Sequence, residues 1–308
     1  MTNLKIGVAL PTMDECTAMG PTGIAQAARR AEAIGLDAVG ASDVLLGDGT
    51  VALDPMIVLA TAAAVTERIA LEFGVLSVPT RPLAMLAAQA QTLQYLSGNR
   101  IRLGLGIGGF PGSPFWQALA APERGRGQLL DTALDLLPAL LEGKATAVPG
   151  LPEGATLALA PAVQVPPLLV GAGNSERVLR RIATRADGWI TSAMTPADIT
   201  TAATRLRELT TEAGRPMPRI HIGLHCVLGT RSEDEEDRAS MNQTLGGFFE
   251  MSPEQVAAVT IVGTPEQAAA RIAEYAEVGV DQLSVGFDGR DYFRQLDLLG
   301  QARALLPR

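Results

Sequence analysis

The chain has 308 residues, 47% of them hydrophobic but only 4% aromatic, and carries a formal charge of −8. An aliphatic core of that size folds unaided, and an acidic balance with no basic stripe excludes a nucleic-acid partner or an anionic membrane surface. No apolar run approaches the roughly 20 residues of a bilayer span. No signal-peptide apolar segment follows Met1, and Cys16 and Cys226 form neither a metal spacing nor a disulfide framework. A cytoplasmic protein without a metal site is expected, its anionic ligands held by backbone amides and a few local cations.

Lys5–Leu10 reads as a short aliphatic strand stopped by Pro11. Pro21 opens an Ala-rich helix to about Ile34, closed by Gly35, and Asp37–Ala41 is the second strand, ending in Ser42-Asp43. Asp54-Pro55 supplies an N-cap and a first-turn proline for a helix to about Val65. Ile69–Leu76 is strand three, Pro82–Leu96 helix three, and Ile101–Ile107 strand four. From Glu123 to Leu141 apolar residues recur at helical spacing. Lys144–Val165, rich in proline, glycine and alanine, is an irregular excursion rather than a linker, because the strand–helix rhythm resumes after it. Strand Pro167–Val170, helix Ser175–Arg185, strand Gly188–Ser192, helix Pro196–Ala213 and strand Ile220–Leu228 follow. Arg231–Val259 is a second excursion whose acidic run Ser232–Asp237 suits a solvated helix start. Thr264-Pro265-Glu266-Gln267 opens a helix to Val278, Asp281–Phe287 is strand eight, and Tyr292–Leu306 closes the chain.

Eight strand–helix units in this length predict an α/β fold, a (β/α)8 TIM barrel forming one domain over residues 1–308. Irregular insertions fall at about 144–166, after helix four, and 231–260, after strand seven. An open doubly wound sheet would need a nucleotide loop after strand one, and Pro11-Thr12-Met13-Asp14 is not glycine-rich.

The most informative stretch is Arg100–Ser113. Its first half alternates apolar residues with glycine, as a buried strand needing room on one side does. Its second half is a glycine-rich loop built for close backbone approach. The G-x-G-x-x-G at Gly104, Gly106 and Gly109 is not a dinucleotide fingerprint, because prolines rather than a helix follow it. Other residues invite chemistry. His225 and Cys226 near the end of strand seven point to opposite faces; His225 is either a proton donor or a structural hydrogen-bonder. Asp48, in Gly47-Asp48-Gly49, is either an acid or a turn residue. Asp288 reads as a cap for the last helix, Arg102 as part of an internal network, and Arg81 as a cation for an anionic tail. Phe110 and Trp116 wall an apolar pocket or pack the loop onto the rim.

Taken together, the chain resembles the bacterial-luciferase-like family of flavin- and deazaflavin (F420)-dependent oxidoreductases. The resemblance rests on Lys5–Pro11, Ala31–Val39, Gly74-Val75-Leu76 with Pro82, Thr92–Ile101, Leu103–Gly108, Glu123-Arg124, Pro166–Gly171, Ala186–Trp189 and Val262–Glu266, in family order across nearly the whole chain. It implies a barrel with the cofactor ring at the carboxyl-end mouth. Asp43 matches an acidic residue beside the cofactor, and Gly74-Val75 a bulge against the ring that commonly carries a non-prolyl cis peptide. Ser77 and Gly108 match cofactor-contacting positions. The loop Gly171-Ala172-Gly173-Asn174-Ser175 matches the phosphate loop, as small residues before a helix N-terminus suit, and Ser192 lies beside it. The resemblance also implies a small-molecule substrate and a homodimer through outer helices two and three.

Departures restrict the chemistry. The family's sugar-phosphate dehydrogenases place a histidine after the strand-two aspartate, where this chain has Val44. They place a glutamate after the strand-four glycine, where it has Gly109, and a lysine after strand six that Ser192–Pro196 lacks. Sugar-phosphate oxidation is therefore not expected. The reading is hydride transfer with F420, to or from a small organic substrate; an FMN-dependent monooxygenase is the alternative, and a non-catalytic flavin- or deazaflavin-binding protein the second. His225 and Asp48 stand as the catalytic candidates.

Overall fold

In the computed structural model, which describes residues 4–307, eight parallel strands close into a ring. They are β1 (Lys5–Ala9), β2 (Ala38–Ala41), β3 (Ala70–Phe73), β5 (Ile101–Gly106), β6 (Leu168–Gly171), β7 (Gly188–Ser192), β8 (Arg219–Leu228) and β10 (Gln282–Phe287). Each pairs with the next, and β8 pairs with β10 to complete the circle. The strands are almost wholly buried, which is why they read as continuous apolar runs rather than alternating ones. The predicted TIM barrel is the observed fold.

The outer layer consists of α2 (Gly23–Ala33), α3 (Pro55–Val65), α4 (Leu83–Leu96), α6 (Arg126–Leu141), α7 (Glu176–Arg185), α8 (Pro196–Glu212), α11 (Pro265–Glu277) and α12 (Tyr292–Leu305). Asp54 caps α3 by accepting the amides of Met56 and Ile57, and Thr195 and Thr264 form capping boxes followed by proline. At the amino-end face, the Glu32 carboxylate accepts the amides of Glu67, Arg68 and Ile69 at 2.6–3.2 Å. Burial opposes its charge, but the three amides outweigh burial and hold its carboxyl below the usual value. Arg100 spreads its guanidinium over the carbonyls of Ala63, Thr66 and Ile69 at 3.0 Å, satisfying the carboxyl end of α3.

The bulge that the resemblance implies at Gly74-Val75 is present: strand three stops at Phe73, the Gly74–Val75 peptide is cis, and the chain resumes as β4 (Leu76–Ser77), paired with β5. Elsewhere the structure adds to the sequence expectations or departs from them. Short helices α1 (Asp14–Met19) and α5 (Pro114–Ala118) occupy loops. The first insertion is irregular apart from an antiparallel bridge between Thr146 and Leu157. The second is not: α9 (Ser232–Phe249), α10 (Pro253–Ala258) and a further strand β9 (Thr260–Gly263) fill it, with β9 extending the sheet beside the end of β8. Its acidic run is the helix start that the sequence suggests, with Glu233, Glu235 and Glu236 exposed, but it is not solvated throughout. Asp234 and Asp237 are buried and bind Arg294 and Arg290 at 2.5–3.0 Å, docking α9 onto the final helix and the loop before it.

Two outcomes follow from this packing. A Cβ at Gly104 would lie 1.9 Å from the Phe73 carbonyl oxygen, whereas at Gly109 it would meet nothing within 4 Å. Gly104→Ala is expected to cost about 3 kcal/mol or more and Gly109→Ala less than about 0.5 kcal/mol, read by denaturant unfolding. Because the folded Glu32 carboxyl titrates below 4.5, its contribution is complete above that value and disappears as pH falls through the folded one. Thermal melts of the wild type and of Glu32→Gln therefore converge on acidification below about pH 4.

Candidate functional site

The mouth of the barrel is organised by the break in strand three. The chain there is gripped from β2: the Ala41 carbonyl accepts the Gly74 amide at 3.0 Å, Ser42 Oγ donates to the Gly74 carbonyl at 2.9 Å, and the Asp43 amide donates to the Val75 carbonyl at 3.2 Å. Val75 then fills a notch cut by three glycines on two neighbouring strands. Added Cβ atoms at Gly104, Gly106 and Gly171 would lie 3.0, 2.7 and 2.4 Å from the Val75 methyls. The apolar–glycine alternation of β5 thus makes room for a side chain from the next strand.

Asp43 is not among the residues that line the neighbouring cavity. Its Oδ2 accepts the Ser77 amide at 3.0 Å and Arg81 Nη2 at 3.1 Å, and the same guanidinium nitrogen reaches Asp54 Oδ2 at 3.2 Å. Arg81 is therefore already balanced by two carboxylates, contrary to its reading as a cation for an anionic tail. Gly108, at φ +74°, accommodates the Trp116 ring, 2.4 Å from where its Cβ would stand. Trp116 is buried against the loop, and Arg126 spans the Ile107 and Gly108 carbonyls at 3.1 and 2.8 Å. Of the two roles open to Trp116, packing of the loop is the one observed.

Beside this platform lies a cavity of about 460 Å³. Its walls are mostly apolar or small, including Ala9, Ala41, Val44, Ile190 and Val285, and Leu245, Phe249 and Met251 of the second insertion border it. At the rim, His225 Nδ1 lies 2.9 Å from Asp288 Oδ2. Asp288 therefore serves His225, and the last helix is capped by Asp291 instead. Cys226, on the opposite face of β8, is fully buried. At the floor, Glu72 and His221 meet with Oε2 2.6 Å from Nδ1.

Of the predicted site residues, Gly74, Ser192 and His225 line the cavity. Val75, Ser77, Asp43 and Gly108 build the adjoining platform. Asp48 does neither: it is exposed, its Oδ1 accepts the Thr50 amide at 3.0 Å, and that bond holds its carboxyl below the usual value. A solvated, acidified turn carboxylate is a poor proton donor.

The loop Gly171–Ser175 leads into α7. The Ala172 carbonyl is fixed by Trp189 Nε1 at 2.9 Å, Gly173 has open space where a Cβ would stand, and Ser175 at the N-cap makes no side-chain bond to the helix amides. Glu176, in the first turn, would repel an anion. Hydrogen bonds from Arg205 and Arg180, at 2.8–2.9 Å, turn it away and hold its carboxyl down to about 2. Thr191 is not part of this loop's shell, since its hydroxyl points to Met194 Sδ at 3.1 Å.

Sequence reasoning missed Glu72 and His221. A carboxylate inside the apolar run Ala70–Phe73 was the available signal; its partner lies 149 residues away. Arg102 does join an internal network, as expected, through Gln282 and Glu72.

A family model described as luciferase-like monooxygenase matches residues 4–250. An uncharacterised protein of Mycobacterium tuberculosis is 34% identical over 181 residues, covering 57% of this chain; the match spans 60% of that relative's length. A 5,10-methylenetetrahydromethanopterin reductase of Methanopyrus kandleri is 25% identical over 296 residues, covering 79% of this chain and 84% of its own. The solved structure of a coenzyme F420-dependent tetrahydromethanopterin reductase from that organism superposes with a TM-score of 0.77 at 22% identity, over 97% of this chain and 98% of its own. An F420-dependent secondary alcohol dehydrogenase, solved with an F420–acetone adduct, superposes with a TM-score of 0.82 at 15% identity, over the whole of both chains. The family model covers most of the described residues, and the chain belongs to the luciferase-like monooxygenase family of oxidoreductases.

Proposed function

We propose that this protein uses the deazaflavin coenzyme F420 to move a hydride to or from a small organic molecule held in the barrel cavity. The observation that carries this reading is the Val75 platform: a backbone step, locked from β2 and from three glycines, bordering an apolar cavity at the carboxyl ends of the strands. The sequence similarity to a methanopterin reductase, over 79% of this chain and 84% of its own, favours F420 over FMN. When bound, F420 supplies two-electron hydride chemistry.

The residues present fit such a group. The loop Ala172–Ser175 offers amides, a side-chain-free position at Gly173 and a helix N-terminus with its acidic residue neutralised, suited to a phosphate, and Ser192 adds a hydroxyl at the same rim. Gly74 and Val75 present backbone to a flat ring, Asp43 and Ser77 hold that backbone in place, and Gly108 seats Trp116 beside it. His225, oriented through Nδ1 by Asp288, carries or accepts a proton at Nε2 for a molecule in the cavity. Asp48 has no part in this scheme. Exposed Ile57, Met85, Tyr95 and Leu96 on α3 and α4 suit a homodimer face. No helix among the described residues is long and apolar enough to cross a membrane.

Anaerobic titration with F420, followed by quenching of its fluorescence, is expected to show saturable binding, with FMN binding more weakly. Gly171→Val, which forces Val75 out of its notch, reduces F420 affinity at least tenfold. His225→Gln leaves F420 binding intact and lowers hydride transfer by about 10²–10⁴-fold. Tighter binding of FMN, with oxygen uptake by the reduced complex, overturns the reading in favour of a monooxygenase; binding with no hydride exchange in a panel of alcohols and ketones reduces the protein to a carrier.

A further inference from the structure

The floor of the cavity holds an acid–base pair that the scheme above leaves without a task. Glu72 on β3 and His221 on β8 stand on opposite sides of the ring, only 5% and 4% exposed, and meet at 2.6 Å through Oε2 and Nδ1. Glu72 Oε1 accepts Gln282 Nε2 at 2.9 Å, Gln282 in turn accepts Arg102 Nη1, and that guanidinium lies 4.0 Å from Glu72 Oε2. Within this network the Nδ1 side of the imidazole is taken by the carboxylate, which leaves Nε2 as the ring nitrogen open to a ligand. Among the described residues Nδ1 is the ring atom that makes a hydrogen bond, and His221 lines the cavity.

Missing side chains keep the space above that ring open. A Cβ at Gly223 would meet nothing nearer than the Thr191 carbonyl oxygen at 3.9 Å, and at Gly286 nothing within 4 Å. His221, Gly223 and His225 alternate onto one face of β8, and Gly286 pairs with His225 across to β10. An open column therefore descends from the His225–Asp288 pair to His221, four residues or about 13 Å of strand. Ala9, Ala41, Ile190 and Val285 are among its walls.

We propose that this column receives the non-reacting end of an elongated, apolar-bodied molecule that terminates in a neutral hydroxyl, with His221 Nε2 accepting the hydroxyl hydrogen. An anionic end at the floor would lie against the Glu72 carboxyl group, and a methyl end would leave Nε2 unpaired. Calling that molecule the substrate rests on the function proposed above; hydroxyl binding in the column does not, and it is measured without F420.

The chain has two histidines, so a long-range proton–nitrogen NMR spectrum of ¹⁵N-labelled protein contains two imidazoles, and the His225→Gln spectrum assigns His221. His221 is expected to show a protonated Nδ1 and a bare Nε2. Titration with 1-hexanol shifts the Nε2 resonance saturably, while its isomer 1-methoxypentane, which has no hydroxyl, binds at least tenfold more weakly. Gly223→Val, which fills the column without requiring a left-handed backbone, abolishes the hexanol shift and leaves the Nδ1-protonated signal of His221 in place, showing that the barrel is intact. Glu72→Gln, whose side chain also offers a donor to Nδ1, weakens hexanol binding. A protonated Nε2, an Nε2 resonance unmoved by hexanol, or equal affinities for the alcohol and the ether would overturn the proposal. A hexanol shift in a protein that ignores F420 would overturn the proposed function and leave the column standing.

Discussion

Everything at the mouth depends on how β2 grips the break in β3. Four contacts from Ala41, Ser42 and Asp43 hold Gly74, Val75 and Ser77, and Arg81 ties Asp43 to the cap of α3 through Asp54. The break is thereby joined both to the ring of strands and to a helix start. Asp43 and Arg81 are nearly enclosed, with side-chain exposures of 4% and 13%. In such surroundings removing one partner leaves a stranded charge, which is the costly direction. The acidic residue at the end of strand two therefore earns its place by shaping backbone, whatever later rests on that backbone.

That grip divides the mouth into two halves of different character. On the β2–β6 side, glycines are filled by Val75 and Trp116 and the surface is backbone held rigid. On the β7–β10 side, the space is open, and both histidines of the chain stand there, each with a carboxylate on Nδ1. One half suits a flat group lying against main chain; the other suits a molecule that must be oriented and must exchange a proton. The second insertion borders the open half and is anchored by its own small cluster of Val227, Met241, Leu245 and Val256.

The barrel was legible because its signals are local. Proline and hydroxyl caps mark helix starts, and short aliphatic runs mark strands buried on both faces, so eight units emerge without any knowledge of contacts. The misses share a different cause. The acidic run marks where α9 starts, but a Gly246-Gly247 pair obscures its length, and the docking of Asp234 and Asp237 on arginines over fifty residues away leaves no local mark. Asp288 looked like a cap because it precedes a helix, yet its partner is His225 on the adjacent strand. Glu72 and His221 carry no motif at all, and only ring closure brings them together. Resemblance located the bulge at Gly74-Val75, but it could not say that Asp43 holds the Ser77 amide and shares Arg81 with Asp54, since that depends on where Arg81 goes.

The glycines on the strands at the mouth include two groups with different evolutionary prospects. Those at 104, 106 and 171 are occupied by a neighbour's side chain, and no larger residue can enter without dismantling the mouth. Those at 223 and 286 border vacancy. A closed ring of strands cannot widen, so a lineage built on this scaffold can resize its chamber one methyl group at a time at the vacant positions while the occupied ones stay frozen.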